Sequence, residues 1–246
     1  MDKGQPTDVQ MPFTSHLEEL RSRLIKSCLA VTVAFFICFA VAEEIFDFLI
    51  APLKRVAIPG LMVIGTAVTE AFFTKMKVSF VAAIMVALPV LLWQSWQFVA
   101  PGLYEHEKRY TRHFVLFGSF FFLAGAAFCY EVIFRLGLSF LLKKYEALQV
   151  QPAIRMGEYL SFVSRLILAA GLTFQLPVIA YFLARTGLID HHFLIHQFRY
   201  AILGIAILAA VLTPADLISQ LLLMLPLCLL YGVSIGVAYL ARQKER

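Results

Sequence analysis

This chain has few charged residues, few cysteines and no metal-binding motif of the metalloprotease type. Charged side chains make up 15% of its 246 residues, whereas about 25% is usual in soluble domains. No HExxH string and no pair of aspartates within an apolar run occurs, so no metal centre or catalytic acid pair can be assigned. We therefore expect no enzymatic activity and no cofactor.

The scarce cysteines and the dispersed charge exclude further classes. Cys28, Cys38, Cys129 and Cys228 lie inside apolar runs without CxxC spacing, which argues against a metal site. No apolar h-region precedes Leu24, so we expect no cleaved signal peptide, and the first apolar run should stay as an anchor. The net charge of +5 is divided among several loops, which argues against nucleic-acid binding.

Long apolar runs are what the chain has instead. Apolar residues form 61% of it, and about 20 in succession suffice to span a bilayer as a helix. The pattern predicts an all-α polytopic membrane protein with six transmembrane helices. Its spans are residues 24–42, 76–100, 113–133, 159–184, 200–212 and 218–240, and the third could continue towards Leu142. The fifth is too short to cross the hydrocarbon core unless it is buried or the bilayer thins.

Lysine and arginine near the span ends predict the orientation. Positive residues favour the cytoplasmic side, so both termini should be cytoplasmic (N-in, C-in). We interpret residues 1–246 as one membrane domain, with a cytoplasmic segment 1–23 and a cytoplasmic tail 241–246. Residues 43–75 should form an extracytoplasmic cap of short helices. The cations that support this orientation are Arg21, Arg23, Lys26, Lys108, Arg109, Arg112, Arg185, Arg199, Arg242, Lys244 and Arg246, against Lys54, Arg55, Lys143 and Lys144.

The segment before the first span is strongly patterned. Residues 13–24, FTSHLEELRSRL, predict a short amphipathic helix whose leucines recur at i, i+3 and i+7. Glu19 and Arg23 are spaced i,i+4, so a local ion pair is one interpretation of both. Binding of a partner by Glu19 is the other.

Several strings in this order resemble a known family. They are HLEELRSRL at 16–24, APL at 51–53, FVAPGLY at 98–104 with EKR at 107–109, YLSF at 159–162, FQLP at 174–177 and LTP at 212–214. Together they resemble TatC, the multispanning core of the twin-arginine protein translocase, over about residues 12–240. Each string alone has modest specificity, and their order and spacing carry the likeness.

The resemblance implies a fold and a function. It implies a concave, glove-like bundle with short fifth and sixth spans, in the cytoplasmic (inner) membrane of a bacterial-type cell. It also implies a receptor for folded precursors that carry twin-arginine signal peptides. Export of these precursors would be driven by the proton-motive force. The implied partners are TatA-like and TatB-like single-span proteins, within a multimeric complex in the lipid bilayer.

Two carboxylates are the centre of the implied signal-peptide site. Two arginines need two acidic partners, and guanidinium pairs well with carboxylate. The resemblance assigns these roles to Glu19 and Glu107, since the family varies more at Glu105. A solvated charged loop is the alternative for Glu107. The other implied members of this site are Arg21, Phe98, Leu103 and Tyr104.

The resemblance also implies contacts with a partner helix. Gln175 lies within span four, where many family members have glutamate, so a role that needs charge is in doubt. It should contact a single-span partner, or else satisfy the backbone near Pro177. Thr213 and Gln220 are assigned to the same contact. The implied structural residues are Pro52, Pro177, Pro214 and Asp216, and Asp216 could cap the sixth helix.

Two features fall outside the resemblance. Arg165 lies within span four, and we expect it to snorkel or to pair with Glu158 or Glu131. His191, His192 and His196 have metal-ligand spacing, but a wet loop is the simpler interpretation. The alternative function is a secondary transporter of a small solute, which would favour internal repeats and a charged central site; neither is evident.

Overall fold

The computed structural model describes residues 13–56, 61–99, 111–185, 187, 189–213 and 217–243. Within these ranges the chain is almost entirely helical, with one short two-stranded ladder. The elements run in the order α1 (Phe13–Ala40), α2 (Ala42–Arg55), β1 (Met62–Ile64), α3 (Glu70–Val99), α4 (Thr111–Phe128), a π-helical turn (Cys129–Ile133), α5 (Phe134–Ala147), β2 (Ala153–Arg155), α6 (Met156–Thr173), α7 (Leu176–Arg185), α8 (His191–His196), α9 (Phe198–Leu212) and α10 (Leu217–Gln243).

The prediction of an all-α polytopic membrane protein is confirmed. Five helical stretches in the described part of the chain are long and apolar enough to cross a membrane. They are Leu17–Ala40, Glu70–Phe98, Arg112–Tyr145, Met156–Arg185 and Leu217–Ala241. The fifth predicted span corresponds to the shorter apolar helix α9, of 15 residues. The expectation of a short sixth span is wrong, because α10 has 27 residues and its apolar part, Leu217–Ala241, has 25.

Three predicted boundaries differ from the structure. The amphipathic segment at 13–24 is not a separate helix, because α1 continues through it into the first span. The third span continues through the π-helical turn into α5. The fourth is divided between α6 and α7, because Pro177 lacks the N–H that would bond the carbonyl of Thr173, where α6 ends.

The connections after the first and third spans meet each other. β1 and β2 pair in parallel, with Met62 opposite Ala153 and Ile64 opposite Arg155. Glu70, the first residue of α3, adds a second link because its carboxylate accepts the N–H of Gly157 at 2.7 Å as well as those of Thr66 and Ala67. Where short helices were predicted, the described part of 43–75 contains one helix, one strand and the start of α3. The extracytoplasmic location of this segment stays a prediction.

Glycines let the central helices approach closely. A Cβ on Gly171 of α6 would lie 2.7 Å from the ring of Phe122 in α4, and one on Gly125 of α4 would lie 2.6 Å from the ring of Phe174. Small residues at such crossings are a usual device in membranes, where close packing replaces the hydrophobic effect as the source of helix association. The main core extends from this crossing to α2, α5, α9 and α10.

Candidate functional site

Glu19 lies on the face of α1 that packs against the end of α3. Its Oε1 accepts a hydrogen bond from Nη2 of Arg23 at 3.0 Å, and about a fifth of its side chain, 21%, is exposed. The local i,i+4 ion pair that the sequence allowed is therefore present. The pair is half-buried, so it is less screened by water than an exposed pair would be.

The guanidinium of Arg23 also joins α1 to α3. Its Nη1 donates to Oε1 of Gln97 and to Oε1 of Gln94, the latter at 3.4 Å. Side-chain oxygens of Glu19, Gln94 and Gln97 thus converge on one guanidinium group; we name these three residues the guanidinium cradle. Sequence reasoning missed both glutamines, although their i,i+3 spacing places them on one face of α3.

Aromatic side chains hold the end of α3 beside the cradle. The ring of Trp96 packs against Phe114 of α4 at 4.7 Å and against Phe182 of α7 at 5.0 Å, measured between centroids. Phe182 and its neighbours on α4, α7 and α10 also line an apolar cavity of about 330 Å³, with His113 in its wall. The end of α3 that carries Gln94 and Gln97 is therefore packed against both α4 and α7.

The other members of the predicted signal-peptide site are only partly placed. Arg21 is exposed on α1, and Phe98 is half-buried in the last turn of α3. Leu103, Tyr104 and Glu107 lie between Val99 and Thr111, outside the described residues. The meeting of Glu19 with Glu107 stays a prediction.

Gln175 lies in the break between α6 and α7 and is buried, with 5% of its surface exposed. Its Nε2 donates to the backbone carbonyl of Gly118 in α4 at 2.8 Å. Its Oε1 has no hydrogen-bond partner among the described residues. The amide thus contacts another helix of the same chain. Its expected contact with a partner helix stays a prediction, in which Oε1 would be the accepting atom.

The two other residues assigned to the partner contact are bonded within the chain. Thr213 Oγ1 donates to the carbonyl of Ala209 at 2.8 Å, at the end of α9. Gln220 Nε2 donates to the carbonyl of Ala206 at 3.1 Å and so ties α10 to α9. No hydrogen bond between described residues joins either of them to Gln175.

Comparisons with known proteins agree with this architecture. The family model described as Sec-independent protein translocase protein (TatC) matches residues 15–226. The chain belongs to the TatC family. A relative from Campylobacter jejuni, named Sec-independent protein translocase protein TatC, is 47% identical over 89% of this chain and 90% of its own length. One from Desulforapulum autotrophicum with the same name is 41% identical over 95% of this chain and 87% of its own.

A solved structure gives the same result for the fold. The crystal structure titled twin-arginine translocase receptor TatC superposes with a TM-score of 0.84 at 36% identity, covering 92% of this chain and 99% of that one. A second crystal structure of TatC, in the detergent DDM, also gives a TM-score of 0.84, at 35% identity. The helical arrangement described above is therefore that of the TatC family.

In this TatC-family chain, Pro52 leaves one carbonyl of α2 without its helical partner. A helix residue normally donates its N–H to the carbonyl four residues earlier, and proline has no N–H to give to Phe48. The hydroxyl of Tyr130, in the π-helical turn, donates to that carbonyl at 2.7 Å, and its ring stacks on Phe48 at 4.3 Å. Tyr159 of α6 donates to the next carbonyl, of Leu49, at 3.2 Å. Pro52 thereby helps fasten α2 onto the membrane helices.

The remaining structural assignments are less complete. Pro177 is buried at the start of α7 and explains the break at which Gln175 contacts α4. Pro214 and Asp216 lie outside the described residues, so the proposed cap by Asp216 stays a prediction.

Of the two alternatives expected for Arg165, snorkelling and ion pairing, neither ion pair forms. Glu158 pairs with Arg155 at 3.0 Å, and Glu131 pairs with Arg55 at 3.7 Å. Arg165 is exposed, and its Nε donates to the carbonyl of Ser161 one turn earlier at 3.1 Å. It therefore snorkels along its own helix and does not bridge to another one.

The histidine grouping differs from the one read from spacing. The possible ligand atoms of Asp190, His191 and His192 all lie within 4.8 Å of one another, whereas His196 is not in the group. Nδ1 of His191 lies 2.7 Å from Oδ1 of Asp190, and its ring packs against Tyr239 at 5.1 Å. The histidine is thus engaged in local contacts at the start of α8.

Sequence reasoning overlooked one enzyme-like string. Residues 232–236 read G-V-S-I-G, which has the form of a hydrolase nucleophile motif. That motif requires a sharp turn from strand to helix, whereas Ser234 lies within α10. Its hydroxyl is buried and donates to the carbonyl of Leu230 at 2.8 Å, so it is placed as a helix-packing residue and not as a nucleophile.

A larger cavity bears on the transporter alternative. It has a volume of about 840 Å³ and lies among α1, α2, α3, α4 and α6. Its walls are apolar apart from Cys38, Ser119, Tyr130 and Glu131. Such a lining suits lipid chains or an apolar helix and gives a polar solute no succession of binding groups.

Proposed function

We propose that this chain is the signal-peptide receptor and core subunit of a twin-arginine translocase. The observation that carries the proposal is the guanidinium cradle, in which Glu19, Gln94 and Gln97 already hold one arginine side chain. A carboxylate with flanking amide oxygens suits the planar fork of arginine better than the compact ammonium of lysine. In this proposal the cradle receives an arginine of the signal peptide.

Arg23 occupies the cradle in the absence of a peptide. An incoming arginine would replace one guanidinium with another, so the hydrogen bonds lost and gained are of the same kind. The exchange also avoids leaving Glu19 as a half-buried carboxylate without a cation, which is costly. In this proposal Arg23 is a resident placeholder that the peptide displaces.

The second arginine would meet Glu107. That residue follows α3 in the chain, and α3 carries both glutamines of the cradle. Phe98 with Leu103 and Tyr104 would supply apolar contacts for the residues that flank the arginine pair. Arg21 is exposed on α1, two residues after Glu19. Its positive charge would favour an extended peptide whose own cations are kept apart.

The wider assembly follows from the family and the charge pattern. Both termini and the cradle would face the cytoplasm, with residues 43–75 on the opposite side of the inner membrane. α9 would complete six spans as a short helix. Single-span partners of the TatA and TatB kind would join the receptor in a multimer, use Gln175, Thr213 and Gln220 as contacts, and export folded precursors at the expense of the proton-motive force.

The double variant Glu19→Ala with Glu107→Ala tests the proposal. It should abolish photo-crosslinking of a twin-arginine signal peptide placed near residues 19 and 107, while the protein still inserts into the membrane. Glu18→Ala is the matched control, because Glu18 is an exposed carboxylate on the same turn of α1. Normal crosslinking and normal export by the double variant would show that the two carboxylates do not bind the peptide.

A further inference from the structure

Two cations from different helices meet at one serine. Nζ of Lys77 in α3 lies 3.3 Å from Oγ of Ser161 in α6, and Nε of Arg165 donates to the backbone carbonyl of the same serine at 3.1 Å. Both cationic side chains are exposed, and Ser161 is half-buried between them. We name these three residues the cation pair site.

No carboxylate of the described chain neutralises this site. Neither Lys77 nor Arg165 has an acidic oxygen within 4.0 Å among the described residues. Four acidic residues of α2, α3, α6 and the π-helical turn have other partners: Glu43 pairs with Lys75, Glu131 with Arg55 and Glu158 with Arg155, and Glu70 accepts backbone amides. Two cations that share one serine as a hydrogen-bond partner repel each other, and an anion between them would offset that repulsion.

The depth of the site fits a lipid headgroup. Arg165 lies nine residues after Met156, about 14 Å along α6 at roughly 1.5 Å per residue. Its side chain turns back by one helical turn, so the charge lies at the level of Ser161, about 8 Å from the start of the helix. The headgroup region on each side of a bilayer is about 5–8 Å thick. Both charges therefore reach the boundary between the headgroups and the hydrocarbon.

We propose that Lys77, Ser161 and Arg165 bind the phosphate of an anionic phospholipid. The guanidinium offers two parallel donors to phosphate oxygens, and the ammonium supplies a second charge. The hydroxyl of Ser161 accepts the lysine and keeps its own O–H to donate to a third oxygen. Basic pockets between transmembrane helices bind anionic lipid headgroups on the cytoplasmic side of membranes, and here the same pairing would take place in the opposite leaflet. A bound lipid would link α3 to α6 and remove the repulsion between the two cations.

The proposal is tested with the full chain in detergent, titrated with phosphatidylglycerol or phosphatidylcholine and followed by native mass spectrometry. Phosphatidylglycerol should be retained more strongly, and Lys77→Gln and Arg165→Gln should each weaken its binding about fivefold. Lys54→Gln is the matched control, because Asp47 already neutralises that lysine at 3.4 Å. The thermal midpoint without lipid checks that each variant is folded.

Two results would overturn the proposal. One is equal retention of phosphatidylglycerol by the wild-type chain and by the double variant Lys77→Gln with Arg165→Gln. The other is retention of inorganic phosphate as strong as retention of phosphatidylglycerol, since the site would then bind a free anion. Loss of binding in the double variant alone, with Lys54→Gln unchanged, supports the lipid site.

Discussion

Replacing Tyr130 with phenylalanine should show how α2 is fastened to the rest of the molecule. The change removes only the hydroxyl that donates to the Phe48 carbonyl at 2.7 Å, while the ring that stacks on Phe48 is kept. Because Pro52 cannot supply an N–H, that carbonyl would lose its hydrogen bond to the protein. The bond is partly buried, so its loss should lower the free energy of unfolding by about 0.5–1.5 kcal/mol, the usual net contribution of one hydrogen bond.

Tyr159→Phe is the internal comparison. Its hydroxyl donates to the Leu49 carbonyl over a longer distance, 3.2 Å. The α-helical pattern gives that carbonyl a second donor, the N–H of Leu53, so less is lost when the hydroxyl goes. We expect Tyr159→Phe to cost less than about 1 kcal/mol.

Restoring the missing N–H gives the decisive measurement. Pro52→Ala supplies a donor to the Phe48 carbonyl, so Tyr130→Phe should cost about 1 kcal/mol less in that background than in the wild type. The four proteins of this cycle can be compared by equilibrium unfolding in mixed micelles, followed by tryptophan fluorescence. Equal costs of Tyr130→Phe in both backgrounds would refute the reasoning, because proline would then have no part in creating the need for the tyrosine.

Three further predictions concern the site and the helix packing. Arg23→Gln should strengthen binding of a twin-arginine peptide about two- to fivefold by freeing Glu19; weaker binding in a peptide titration would mean that Arg23 positions the site. Gly171→Ala should destabilise the protein by about 1–3 kcal/mol because it overpacks a ring of α4, whereas Gly204→Ala, with open space around it, should not; equal unfolding energies would contradict this. Gln175→Leu should lower co-purification of a single-span partner, and unchanged recovery would remove it from the contact.

Local chemistry explains the features that could be predicted from the sequence. The spans follow from the lengths of the apolar runs, since a helix must satisfy its own backbone in hydrocarbon. The disturbed backbone near Pro177 also follows from local chemistry, because the effect of proline reaches one turn back, although span four was predicted as one helix and its division after Thr173 was not. The ion pair of Glu19 with Arg23 joins residues on one helix, and spacing alone places such residues side by side.

The predictions that the structure does not confirm have separate causes. For Arg165 an ion pair with Glu158, seven residues and about 10 Å away along α6, was the alternative to snorkelling, and it does not form because Arg155 is only three residues from that acid. The short sixth span was inferred through the family and not from the residues, and α10 is long. The two three-residue strands could not be predicted from the sequence, because β1 pairs with β2, which lies about 90 residues further along the chain.

The sequence by itself determined the membrane class, the approximate spans and the family, because these depend on composition, run length and the order of short strings. Only the tertiary structure decided that Gln94 and Gln97 share the guanidinium of Arg23, that Tyr130 serves the carbonyl freed by Pro52, and that Lys77 and Arg165 meet at Ser161. Each of these contacts depends on how separate helices cross. Helix crossings are set by packing over the whole molecule, and no local pattern in the chain encodes them.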